Sequence, residues 1–377
     1  MLFSWGFFIN CGEQHSSSEK IVTRSIIIKK VHVSLTVDPS YKKLAEDIDN
    51  YFTNRFNKGV FNGNILFAKD GKIVIKKSYG YADVRKKTPL ELTSRFQLAS
   101  ASKPFTAFAI MLLNERGKLD FNDNLNKFIP NFPYKDISIQ LLLSHRSGLA
   151  KYDYFADKLW TNKSKFMSND DLVEMMKNNP HLTGYAPDKV FQYCNTNYAL
   201  LASVIEKASK TKYKSFMENE IFKPLGMNNT YVLNIKDSND LKLRVNSFDK
   251  GNKLIYDNFM DGVVGDKEIY STVEDLFIFD QSLYSGELLA PEKMKEAFKP
   301  RNTKWKSGSR NYGFGWRIIK LDDGRQIPYH CGWWHGFRSY FIRVPENKGT
   351  IIVLNNSMKG SFLTVLDMLK LLGLDHQ

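Results

Sequence analysis

The sequence predicts an α+β fold whose sheet is assembled from distant parts of the chain. Three observations lead there. Strand patterns occupy both ends of the chain, helix and loop patterns fill the middle, and an almost unbroken apolar run follows Lys103. A helix that is apolar all round is a buried one, so this run is the central helix of the core. With 377 residues the chain is long enough for a large core and two intertwined lobes.

The elements follow in order. Pro39-Ser40 precedes an amphipathic helix with Leu44, Ile48, Phe52 and Phe56 on one stripe. Residues 63–82 read as a hairpin: Ile65-Leu66-Phe67, a turn at Asp70-Gly71, then Ile73-Val74-Ile75. The buried helix begins at or beside Ser100 and stops near Gly117. Pro104 suits its first turn, where backbone N–H groups lack intrahelical partners. Residues 122–260 are rich in helix and loop, with helical segments near 170–178, 196–210 and 213–222. Ser271-Thr272-Val273-Glu274 fits a capping box, so a helix starts there and runs through Phe277, Phe279 and Leu283. Strands follow over 312–321, 327–333, 337–344 and 350–355, with turns at Asp323-Gly324 and 345–349, and residues 361–374 close the chain as a helix.

Composition narrows the function. Hydrophobic residues make up 42%, a value for a folded globular chain. No apolar run reaches the roughly 20 residues that span a bilayer. Formal net charge is +14, from 54 basic and 40 acidic residues. The lysines are scattered and form no dense stripe, so nucleic acid is not the expected partner. Residues 1–10 are largely apolar and end at Cys11, followed by a polar stretch to Lys20. That pattern resembles a bacterial lipoprotein signal, with Cys11 as the lipidation site and residues 1–20 as signal and tether. Export and membrane tethering through lipid are therefore expected. The other two of three cysteines, Cys194 and Cys331, are expected as small buried thiols rather than a disulfide.

Three motifs carry chemistry. Ser100 and Lys103 stand three residues apart at a helix start, on one face. A serine hydroxyl needs a base before it can act as a nucleophile, and a lysine amine can reach it without histidine or aspartate. Taken alone, the pair reads better as an N-cap serine followed by a surface lysine. Tyr193-Cys194-Asn195 comes next: a tyrosine can shuttle protons when a neighbouring cation stabilises its phenolate, and an asparagine amide can bond both a lysine and a substrate carbonyl. The plainer reading is a helix cap before a core helix. The third is His330-Cys331-Gly332-Trp333-Trp334, which offers a polar side chain, a close backbone approach at glycine and an N–H for an oxyanion. Its plainer reading is an aromatic-rich strand with a satisfied histidine.

In this order the motifs resemble the serine β-lactamase and penicillin-binding-protein superfamily, in its class C-like branch of β-lactamases, D-alanyl-D-alanine carboxypeptidases and esterases. The strings Leu142-Leu143-Ser144-His145-Arg146-Ser147-Gly148-Leu149 and Tyr312-Gly313-Phe314-Gly315-Trp316 agree. The resemblance implies an antiparallel sheet flanked by terminal helices with an inserted helical lobe. Residues 21–377 then form one catalytic domain, with one lobe from about 38–120 and 261–377 and the other from about 121–260. It further implies Ser100 as nucleophile, Lys103 and Tyr193 as proton carriers, Asn195 positioning Lys103 and substrate, and His330 hydrogen-bonding toward Tyr193. Backbone N–H groups of Ser100 and Trp333 would form an oxyanion hole. Gly332, Trp333, Trp334 and Arg338 would meet the substrate, Arg338 either as a carboxylate anchor or as the partner of a surface acid. His330 stands where class C β-lactamases carry lysine, which points toward the peptidase or esterase side. His145 is expected to support a loop. The implied substrates are D-alanyl peptides, β-lactams or small esters and amides, with a non-catalytic envelope or binding protein as the alternative. No metal or organic cofactor is implied, since zinc-ligand and phosphate-loop motifs do not occur.

Overall fold

The computed structural model describes residues 33–302 and 310–374. Cys11 and the tether lie outside them. Among the described residues no helix is long and apolar enough to cross a membrane.

Helix α1, Lys42–Asn57, turns Ile48 and Phe52 inward. Strands β1, Gly63–Lys69, and β2, Lys72–Tyr79, form the expected hairpin. Asp70 and Gly71 both have positive φ, 53° and 71°, the backbone of a tight primed turn that matches strand twist. Helix α2, Lys103–Glu115, is buried from Lys103 through Leu113. Helices α3, Tyr152–Leu159, and α4, Asn195–Ser209, belong to the helix-rich middle, and α4 lies against α2. Helix α5, Val273–Ser285, precedes strands β3, Arg310–Tyr312, β4, Arg317–Lys320, β5, Gln326–Trp334, β6, Phe337–Val344, and β7, Gly349–Asn355; helix α6, Val365–Leu371, ends the fold.

The main sheet runs β2-β1-β7-β6-β5-β4-β3, antiparallel throughout. The two ends of the chain meet where β1 pairs with β7, Leu66 opposite Ile352. Alternation along the strands builds two cores. Ile65 and Phe67 pack with Ile48 and Phe52 of α1 and Met368 and Leu369 of α6. Leu66 and Ala68 face the other way, toward α2 and α5, where the Phe105 and Phe279 rings stack 4.1 Å apart. A buried ion pair of Asp280 with Arg343, joined by Thr350 Oγ1 at 2.5 Å, ties α5 to β6 and β7.

Three expectations are corrected. The strand expected over 312–321 is a hairpin, β3 and β4, with Tyr312 opposite Arg317. The chain reverses at Gly315, whose φ is +78° and where a Cβ would stand 2.6 Å from that of Ala107. The closing helix is shorter than 361–374, because Thr364 caps it by accepting the Asp367 N–H. The cap of α5 is Thr272, not Ser271. Ser271 instead ends a strand, Ile269–Ser271, between Phe96–Gln97 and Tyr231–Val232 in a second sheet of three strands. Strands of two or three residues carry too little alternation to be read from sequence. This small sheet matters for the site: Leu98 N–H bonds the Ile269 carbonyl immediately before Ser100.

Candidate active site

A single 3-10 turn, Ala99–Ser102, leads into α2. It presents Ser100 to the surface of a cavity while Lys103, fully buried, lies one turn on. Lys103 Nζ donates to Ser100 Oγ at 3.1 Å and to the Asp266 carbonyl at 2.9 Å. The Asp266 carbonyl takes the place expected for Asn195 in holding this amine. Asn195 opens α4 and turns to the cavity instead, where its Oδ1 is buried without a partner. Tyr193 sits two residues earlier. Its ring centroid is 5.1 Å from Lys103 Nζ, and its hydroxyl too is buried without a partner.

Strand β5 is laid against the serine turn. A Cβ on Gly332 would stand 2.0 Å from the Leu98 carbonyl and 3.0 Å from Ser100 N, so the approach requires glycine. Ser339 on the neighbouring strand donates to the same Leu98 carbonyl. Trp333 lines the cavity and is 58% exposed as a residue. Trp334 lines it as well, while its Nε1 donates to Asp261 Oδ1 at 2.5 Å.

His330 does not reach Tyr193. The two ring centroids are 6.2 Å apart. His330 Nδ1 bonds the Cys331 carbonyl at 3.0 Å, and its Nε2 lies 3.0 Å from the Tyr312 hydroxyl. A carbonyl only accepts, so Nδ1 carries the proton and Nε2 accepts from Tyr312. Burial, then the charges of Arg317 and Lys103, hold the imidazole well below its usual pKa and keep it neutral.

Arg338 is also corrected. It is almost fully buried, and its guanidinium donates to the carbonyls of Met358 and Gly360, each at 2.8 Å. It lies over the Phe362 ring and pins the segment after β7; it is not among the residues that line the cavity, and no acid pairs with it among the described residues.

The cavity, about 520 Å³, also takes in residues that no motif signalled: Lys151, Asp153, Asn258, Arg317 and His335. Arg317 on β4 has its guanidinium carbon 4.6 Å from the Tyr193 ring centroid. Burial opposes its charge, but the phenols of Tyr193, Tyr312 and Tyr329 outweigh that and raise its pKa. No carboxylate pairs with it among the described residues. Only the pairing of β4 with β5, Arg317 opposite Tyr329, brings it here. In sequence it is one arginine in a strand. His145, with φ of 57°, lies beneath Tyr193, ring centroids 4.4 Å apart, and its Nδ1 accepts the Cys194 N–H.

Cys194 and Cys331 are both free. The Cys194 thiol bonds the Leu149 carbonyl at 3.4 Å. Cys331 borders the cavity, its thiol pushed up to about 12 by burial. Asp257, Asp261 and His335 could in principle share a cation, with ligand atoms within 4.8 Å. Both carboxylates are already partnered: Asp257 takes two bonds from Arg244, and Asp261 takes those of Trp334, His335 and Asn258 N–H.

Comparison with known proteins identifies the family. The Beta-lactamase family model matches residues 48–374. The chain is 36% identical over 327 residues to "Penicillin-binding protein 4*" of Bacillus subtilis, covering 82% of this chain and 71% of that protein. It is 28% identical over 335 residues to "Protein flp" of Staphylococcus aureus, covering 82% of this chain and 63% of that one. Among solved structures it resembles the octameric penicillin-binding protein homologue from Pyrococcus abyssi, with a TM-score of 0.73, 25% identity, and coverage of 88% of this chain and 77% of the other. D-amino acid amidase from Ochrobactrum anthropi shares the fold, with a TM-score of 0.72 at 22% identity over 85% of this chain and 93% of the other. The chain belongs to the Beta-lactamase family, within the superfamily of serine β-lactamases and penicillin-binding proteins.

Proposed function

We propose that the protein is a serine hydrolase that works through an acyl-enzyme on Ser100. One observation carries this: the buried Lys103 amine sits 3.1 Å from the Ser100 hydroxyl at the floor of an open cavity. Ser100 Oγ attacks an ester or amide carbonyl, and its proton passes to Lys103. Tyr193, whose hydroxyl faces no other partner, relays a proton to the leaving group. Negative charge developing on that phenol is stabilised by Lys103 and Arg317, the cations nearest its ring. Neutral His330 cannot supply that charge, so Arg317 does. The N–H groups of Ser100 and Trp333 hold the oxyanion, consistent with the close approach at Gly332. Water then releases the acyl group. The site draws on both proposed lobes, Ser100, Arg317 and Trp333 from one and Tyr193, Asn195 and Asp153 from the other.

The substrate class is an ester or amide of modest size, with D-alanyl peptides and β-lactams included. A fluorophosphonate probe tests the chemistry. Wild type is expected to label and Ser100→Ala is not; equal labelling of both removes Ser100 from the mechanism. The envelope location belongs to the same reading and is tested separately. Labelling with a fatty-acid probe is expected to disappear in Cys11→Ala, and its persistence excludes Cys11 as the anchor.

A further inference from the structure

Lys267 is a buried cation that the proposed chemistry does not use; it is 3% exposed and is not among the residues that line the cavity. Its Nζ donates to the Tyr152 hydroxyl at 2.7 Å and to the Val263 carbonyl at 3.2 Å. The Tyr152 hydroxyl donates in turn to Asp266 Oδ2 at 3.0 Å. An ammonium only donates, so the phenol accepts on one side and donates on the other. Burial and the Asp266 charge raise the Tyr152 pKa, which keeps the phenol a donor. Lys267 Nζ also stands 3.7 Å from Asp266 Oδ1, which has no hydrogen bond.

An ordinary explanation is that these three side chains hold the fold together. A buried ion pair is weak support for that, because desolvation offsets the attraction and apolar residues of similar size are often as stable. The position of the group points elsewhere. Asp266 carries the carbonyl that takes the Lys103 amine at 2.9 Å. Its carboxylate, on the same residue, lies within about 8 Å of that amine, and both are buried. An uncompensated carboxylate there would hold Lys103 as the ammonium, which cannot take a proton from Ser100.

Among the described residues, Lys267 is the cation paired with the Asp266 carboxylate. The other groups around the Lys103 amine are differently placed. Tyr193 and Tyr198 present their rings, 5.1 and 5.7 Å from Nζ, and Arg317 stands against the Tyr193 ring. Burial keeps His145 and His330 neutral and pushes the Asp153 carboxyl up, toward its neutral form. Lys267 itself also faces Asp261 and Glu268. Asp261 is bonded by Trp334 and His335, and burial pushes the Glu268 carboxyl well above the usual range.

Building on the acyl-enzyme reading, we propose that Lys267 is a positioning residue that acts through Tyr152 and Asp266. It neutralises the Asp266 carboxylate and fixes the carbonyl that holds Lys103, so that Lys103 can serve as the base for Ser100.

The test is the rate of fluorophosphonate labelling of Ser100 as a function of pH. The rate rises as the base loses its proton, and the midpoint of that rise is the readout. In the nearly isosteric Asp266→Asn, Lys267 becomes the uncompensated charge, and the midpoint is expected to move down by about one pH unit. In Lys267→Met the carboxylate is left uncompensated, and the midpoint is expected to move up by about as much. The double variant carries neither charge and is expected to return to the wild-type midpoint. Loosened packing alone does not produce opposite shifts that cancel. A midpoint in Asp266→Asn that is unchanged or moves up overturns the proposal, and so does a double variant that stays with Asp266→Asn. These two variants decide the matter even where Lys267→Met fails to fold, because the double variant buries no unpaired charge. If wild-type Ser100 does not label at any pH, the hydrolase reading itself fails; if it labels and the midpoint ignores these charges, only the role of Lys267 fails.

Discussion

The guanidinium of Arg317 stands 4.6 Å from the centre of the Tyr193 ring. This places a permanent positive charge where a neutral, buried His330 leaves none. Arg317→Met is therefore expected to lower kcat by about 10- to 100-fold, within the range of acid–base contributions, with partial recovery in Arg317→Lys. Steady-state kinetics on a small ester read this out. If Arg317→Met keeps wild-type kcat, Tyr193 does not depend on this cation.

Lys103 makes its hydrogen bonds to Ser100 Oγ and the Asp266 carbonyl, and no ion pair engages it among the described residues. Lys103→Met keeps the length and apolar contacts of the stem in a buried position. The rate of fluorophosphonate acylation is expected to drop at least about 100-fold while the protein still melts cooperatively. Near-normal acylation would exclude the amine as the base.

At Gly332 a methyl group would meet the Leu98 carbonyl at 2.0 Å. Gly332→Ala must push β5 away from the serine turn, and a displacement near 1 Å can cost about 100-fold in rate. The expected signature is a large loss of kcat/KM with folding retained, measured by activity alongside thermal melting. Wild-type kcat/KM in Gly332→Ala would show that the strand does not need this approach.

His330 and His145 are both fully buried and held well below pKa 6.5, first by burial and then by neighbouring cations. The unfolded chain binds protons that the folded state refuses, so stability falls as pH drops below about 6.5 and is complete above it. Each histidine contributes up to about 1.4 kcal/mol per pH unit, a slope reached only well below pH 6.5. Asp275, pushed up to about 6 by burial, acts in the opposite sense. Comparing wild type with His330→Gln cancels that effect. Urea unfolding at pH 6.5 and 5.5 is expected to show wild type losing about 1 kcal/mol more than the variant, because half of the unfolded imidazole is already protonated at pH 6.5. Parallel losses would mean that His330 is protonated in the folded state.

Much of the fold is legible in local chemistry. Asp70-Gly71 is a turn in any context that allows both residues positive φ. The Ile48 and Phe52 stripe finds its core because helical period and burial agree. The strand expected over 312–321 failed for a reason of packing: Gly313 and Gly315 are where the chain folds against Ala297 and Ala107, and an apolar run looks the same whether straight or reversed. At the site, the Ser100–Lys103 pair was readable because both lie within one helical turn. Arg338 misled because an arginine next to a motif looks available, and only the path of residues 358–360 shows that their carbonyls occupy it.

What the sequence by itself determined is most of the longer elements and the local pairings of reactive groups, because helical period, turn chemistry and three-residue spacing act over a few residues. Strand register and the packing of distant segments decided the rest. They set Arg317 against Tyr193, gave His330 to Tyr312, let the Asp266 carbonyl hold Lys103 and left Asp153 facing the cavity. A one-residue slip in a strand sends every side chain to the opposite face, so the charges around a nucleophile follow from long-range pairing that no local pattern encodes.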